Sequence, residues 1–125
     1  MESVKLTKPI LKVLRPALHG AKGTIKREIL QGISKLYKHK DLWIVTRKEQ
    51  SEFVIVAVAG RGLLYAVPHL IRLAEQHNCT SIRWHTLNPN AIKHGFKHLP
   101  AELIEVRKGL FHNDEYVYRL VLNGR

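Results

Sequence analysis

The stretch Ala57-Val-Ala-Gly-Arg-Gly-Leu-Leu-Tyr-Ala66 sets two glycines around an arginine, just where an apolar run gives way to a helical pattern. Glycines let a backbone come close to a ligand, and a following helix start offers unpaired N–H groups at the positive end of its dipole. Arg61 adds a charge-assisted donor, so the chemistry on offer is phosphate binding; the plainer reading is a tight turn. The stretch matches neither the G-x-x-x-x-G-K-[ST] nor the G-x-G-x-x-G nucleotide pattern. Eight histidines raise the question of metal. His94 and His98 have helical ligand spacing, but Gly95 and Pro100 interrupt them, and His69 and His77 have no third ligand in register. No metal centre is expected. The lone Cys79 excludes an internal disulfide and reads as a buried thiol in a reducing compartment. Trp43, Tyr37, Trp84, Tyr116 and Tyr118 beside Arg83 and Arg119 are the pattern of a stacking surface for single-stranded nucleic acid, although strand aromatics belong more often to a core. No nucleophile elbow or hydrolase triad is present.

These side chains must be held by regular elements. Residues 8–19 place Ile10, Leu11, Val13, Leu14, Ala17 and Leu18 at helical spacing, with Thr7 as a cap and Pro16 as a kink or stop. Residues 24–38 place Ile25, Ile29, Leu30, Ile33, Leu36 and Tyr37 on one helical face, with Lys26, Arg27, Lys35 and Lys38 opposite. The pattern then turns to strands. Residues 42–47 and 52–60 form a hairpin, and the second strand, apolar nearly throughout, is expected at the centre of its sheet. A helix over 67–79 with Pro68 in its first turn, a strand over 81–87, a short helical turn within 88–96 and a hairpin of 102–111 with 115–123 complete the order. The fold class is α/β (α+β): one domain over residues 1–125, with helices flanking a mixed, mostly antiparallel central sheet.

The chain's 125 residues suffice for one core, and no apolar run approaches the ~20 residues a membrane-spanning helix needs. A soluble, cytoplasmic protein is the expectation. A net charge of +11 implies attraction to polyanions. Residues 1–40 carry ten Lys and Arg against two acidic side chains, so the excess is N-terminal.

In their order and spacing, the segments between Phe53 and Phe96 resemble the core of GNAT-type N-acetyltransferases. That family's loop reads Q/R-x-x-G-x-G/A, and Arg61-Gly62-Leu63-Leu64-Tyr65-Ala66 aligns with it, Leu64 standing where the middle glycine falls. Leu70 and Ile71 take the place of the family's apolar helix pair, and Asn88, Ala91, Gly95 and Phe96 that of its N-x-x-A and Gly-Phe segment. The resemblance implies a GNAT-like domain that transfers an acetyl group from acetyl-CoA to an amine on a protein or small molecule. It assigns Val56, Ala57 and Val58 to the pantetheine arm. It assigns Arg61, Gly62, Leu63, Leu64, Tyr65 and Ala66 to the diphosphate, with Asn88 close by. The family's tyrosine acid has no counterpart, because only Ile92, Lys93 and His94 separate Ala91 from Gly95. His94 is the substitute proton donor to consider, and Glu52 the nearest carboxylate for a base. The basic N-terminal helices point to an acidic protein or nucleic acid as partner, and a homodimer is a further expectation. The rival function is a non-catalytic basic protein of the same fold, binding nucleic acid, an acidic protein or a viral assembly.

Overall fold

The computed structural model describes residues 1–14, 22–86, 101–109 and 114–122. Among these residues, seven strands form one sheet in the order β1-β2-β3-β4-β5-β7-β6. They are β1 (Glu2–Ser3), β2 (Ser34–His39), β3 (Leu42–Glu49), β4 (Glu52–Gly60), β5 (Ser81–Thr86), β6 (Ala101–Arg107) and β7 (Glu115–Val121). The helices are α1 (Lys8–Leu14), α2 (Lys22–Leu30) and α3 (Leu63–Gln76). Every strand pair is antiparallel except β4 with β5, whose crossover runs through α3. The mixed, mostly antiparallel sheet read from the sequence is therefore present, and β4 lies in its middle.

Helix α3 covers one face. Its Leu70, Ile71 and Ala74 pack on Tyr37, Ile44, Phe53, Ile55, Ile82, Trp84 and Leu120. Helices α1 and α2 cover the other, where Leu11, Leu14 and Ile25 meet Leu36, Val45 and Ala57. Strand neighbours such as Ile44 and Val45 thus point into different clusters, as the pleat requires. A strand buried on both faces loses the polar alternation that would mark it in sequence. Cys79 is buried, and burial pushes its thiol up. No helix among the described residues is long and apolar enough to cross a membrane.

Two sequence expectations are corrected. The helix over 24–38 stops at Leu30, Gly32 turns the chain at φ +78°, and residues 34–39 are strand β2. Leu36 and Tyr37, adjacent on the helical stripe, are buried on opposite faces of the sheet, whereas Ile33 is exposed. Six residue pairs with β3, from Ser34↔Arg47 to His39↔Leu42, outweigh the helical preference of that segment. Helix α3 begins at Leu63 rather than Val67, so Pro68 lies inside it. The end of the first helix beyond Leu14, and the short helical turn at 88–96, lie outside the described residues.

Candidate functional site

The site grows from an irregularity in β4. Val45 pairs with Ala57, but the next residue, Thr46, pairs with Ile55, so Val56 is an extra residue on β4. Such a bulge bends the strand and strengthens its twist. On the other side, β4 pairs with β5 only from Glu52↔Ser81 to Ile55↔Trp84. Beyond that point β5 stays with β7, through His85↔Val117 and Thr86↔Tyr116. Among the described residues, Val56–Gly60 therefore has no strand partner on its β5 side. A fork opens between two parallel strands at their C-terminal ends, with backbone donors and acceptors along one wall.

The loop at the top of the fork is held by its glycines. Gly60 has φ +105°, and a Cβ built on it falls 2.0 Å from the Asp41 carbonyl oxygen. That close approach lets the β2–β3 turn clamp the end of β4, and the Arg61 N–H donates to the same oxygen at 3.2 Å. Gly62, the residue before α3, is left-handed at φ 97°, ψ 22° and brings no side-chain cap. The first backbone hydrogen bond of α3 runs from the Ala66 N–H to the Gly62 carbonyl. The N–H groups of Leu63, Leu64 and Tyr65 precede it and, by helix geometry, have no acceptor within the helix. Arg61 and Tyr65 are exposed beside them, while Ala66 is fully buried against the sheet. Six sequence-predicted residues, Arg61 to Ala66, are thus gathered at one helix start. Val56, Ala57 and Val58 line the wall leading to it. Such a helix start with a cationic side chain suits a diphosphate, and an open strand edge suits an extended amide-bearing chain.

Glu52 is elsewhere. It begins β4, six residues before Val58, or about 20 Å along the strand. Its carboxylate accepts from Arg119 Nε and, at 3.1 Å, from a terminal nitrogen of Arg119. Arg83 donates to it at 2.9 Å and the Ser81 hydroxyl at 2.8 Å. Burial pushes this carboxyl up, but the hydrogen bonds from Arg119 and Ser81 and the charges of Arg119 and Arg83 outweigh it and hold the group below its ordinary value. The chain of ion pairs continues: Arg83 reaches Glu49 at 2.6 Å, Glu49 takes Arg47 at 2.9 Å, and Arg47 takes Glu28 of α2 at 3.1 Å. Arg83 and Arg119 are thereby committed to glutamates, and Tyr37 and Trp84 are buried at 5% and 3% exposure. The aromatic-arginine set read as a stacking surface is not assembled as one. Asn88 and His94 lie outside the described residues. His69 lies against His39 with the rings tilted by 38° and accepts from Arg72, whereas His77 ends α3 stacked on Phe53.

One pair at the fork was not singled out in the sequence. His85 Nδ1 lies 2.6 Å from Glu115 Oε1, and its Nε2 accepts from Arg83 Nε at 3.2 Å. Thirty residues separate the partners, and only the β5–β7 register brings them together. The available signal was parity: in "SIRWHTL" the residues Arg83 and His85 fall on one strand face, opposite Trp84.

No protein-family model matches the chain, and no curated protein sequence matches it. Solved structures do. An acetyltransferase from Bacillus subtilis in complex with CoA superposes with a TM-score of 0.74 at 15% identity, covering 97% of this chain and 97% of its own. The ribosomal-protein-S18-alanine N-acetyltransferase of Escherichia coli gives 0.69 at 13% identity, over 98% of this chain and 94% of its own. A candidate acetyltransferase of the GNAT family from Desulfovibrio desulfuricans gives 0.63 at 7% identity, over 94% and 96%. Over nearly its whole length, therefore, the chain has the GNAT-type acetyltransferase fold.

Proposed function

We propose that this protein transfers an acetyl group from acetyl-CoA to an amine. The observation that carries the reading is the fork between β4 and β5, closed at its top by a glycine-bounded helix start. Val56, Ala57 and Val58 would hold the pantetheine arm along the open edge of β4. Arg61 and Gly62, with the N–H groups of Leu63, Leu64 and Tyr65, would hold the diphosphate, and Ala66 packs the helix down. The bound thioester supplies an activated acyl carbon with a thiolate leaving group. A backbone N–H near Val58 polarises the carbonyl, a donor placed beforehand where negative charge develops. The crystallised Bacillus subtilis neighbour holding CoA supports this ligand class for the fold. The exposed Lys26 and Arg27 of α2, with the overall basic charge, favour an acceptor that carries acidic groups near its amine.

Isothermal titration tests the reading directly. Acetyl-CoA and CoA are expected to bind the purified protein with measurable heat, and no heat at millimolar ligand would sink it. Arg61→Ala is expected to raise the Kd about tenfold, the loss of one charge-assisted contact to a phosphate. An unchanged Kd would place the diphosphate away from this loop.

A further inference from the structure

His85 is the first β5 residue past the last β4–β5 pair, so it stands at the base of the fork. Its side chain is 24% exposed and faces the side covered by α1 and α2, opposite Trp84. The two neighbours of the ring fix its proton. A guanidinium only donates, so Nε2, which takes the Arg83 Nε–H at 3.2 Å, is an acceptor. The ring proton then lies on Nδ1 and is donated to Glu115 at 2.6 Å. One ring nitrogen thus accepts from a cationic N–H donor, and the other is tied to a carboxylate.

Among the described residues, the Arg83 contact is the longest of three that this guanidinium makes; those to Glu52 and Glu49 are 2.9 and 2.6 Å. Arg83 would stay anchored if another N–H donor took its place on Nε2. Among the described residues, the charged groups that contact the His85–Glu115 pair are Arg83 on β5 and Arg107 of β6, which reaches Glu115 at 3.5 Å and Glu105 at 3.2 Å.

We propose that His85 is the proton acceptor for a primary ammonium group entering the fork, and that Glu115 is the residue that positions its ring. The assignment rests on the acyl-transfer reading above. The acceptor arrives as R–NH3⁺, and its N–H takes the place of the Arg83 Nε–H on Nε2. His85 removes one proton and becomes an imidazolium held by Glu115. The neutral amine forms the C–N bond to the acyl carbon as the C–S bond breaks. Nitrogen's second proton ends on the departing thiolate sulfur, and His85 returns its own to solvent. The products are the amide, the CoA thiol and one proton, and no other reactant is needed.

Three measurements on the full chain test this. In ¹⁵N–¹H spectra of imidazole-labelled protein, His85 is expected as the Nδ1–H tautomer near neutral pH; an Nε2–H tautomer overturns the proposal whatever the activity. His85→Asn keeps a donor toward Glu115 but has no base. It is expected to bind acetyl-CoA with wild-type Kd while thiol release with L-lysine, spermidine or an alanine-starting peptide falls about 100-fold. Glu115→Gln is expected to lower kcat about tenfold at unchanged KM and to disturb the His85 tautomer, which a merely structural contact would leave in place. Transfer unchanged in His85→Asn overturns the role of His85 alone, whereas wild-type protein that binds no acetyl-CoA overturns the acyl-transfer reading instead.

Discussion

Gly60→Ala is expected to destabilise the protein by about 3 kcal/mol or more, the range of a strained backbone combined with a steric clash in a packed region. Two effects add. The backbone sits at φ +105°, where an L side chain is strained, and the new Cβ would lie 2.0 Å from the Asp41 carbonyl oxygen, 3.1 Å from its carbon and 3.2 Å from Leu42 Cα. All three atoms are backbone, so relief requires the β2–β3 turn to part from the end of β4. That movement breaks the Arg61 N–H bond to Asp41, which sets the direction in which the chain enters α3. Stability and ligand affinity should therefore fall together. Gly62→Ala is the control. Its φ is +97°, but nothing lies within 4 Å of an added Cβ, so it carries only the backbone cost of about 1–2 kcal/mol. Urea unfolding of the two variants is the measurement. Equal losses would show that the Asp41 contact contributes nothing and that both glycines serve only their dihedral angles.

Much of this site was legible because its parts are local. The apolar run of β4, the glycines after it and the amphipathic stripe of α3 follow one another within 25 residues, and each has its own period. The arrangement was less legible wherever pairing across the sheet decides. Leu36 and Tyr37 fit a helical stripe as well as a strand covered on both faces, and only β3 distinguishes the two. The bulge at Val56 leaves no mark on its own residue, since valine suits regular and bulged strands alike; it exists because Val45 and Thr46 on the partner strand skip it. Glycine in position 60 was read as freedom to approach a ligand. In the fold its missing Cβ makes room for Asp41, and the ligand-facing consequence comes through Arg61. His85 and Glu115 carry no joint signal, because they meet through a register that closes over residues outside both segments.

Glu52→Gln is expected to cost about 2 kcal/mol near neutral pH, because it leaves the Arg83 and Arg119 guanidinium groups facing a neutral amide. The Glu52 side chain is 12% exposed, and it joins Arg83 of β5 to Arg119 of β7 across the end of β4. This is the closed end of the fork, where β4 and β5 still pair. The ion pairs hold those strands in register while their other ends diverge. The sign of the pH dependence follows from the direction of the shift. The folded carboxyl titrates below its ordinary value, so its contribution is complete above the unfolded value of about 4.3 and is lost as pH falls through the folded one. Glu49 acts in the same sense: burial raises it, and the hydrogen bonds and charges of Arg83 and Arg47 lower it further than burial lifts it. A protonated glutamate resembles glutamine, so the gap in unfolding free energy between wild type and Glu52→Gln should be widest at pH 7 and shrink progressively in acid below about pH 4.3. A gap that stays constant over that span would mean that the side chain acts by shape and not by charge. The closed end of the fork would then owe its register to Phe53, Ile55, Ile82 and Trp84 in the core beneath α3.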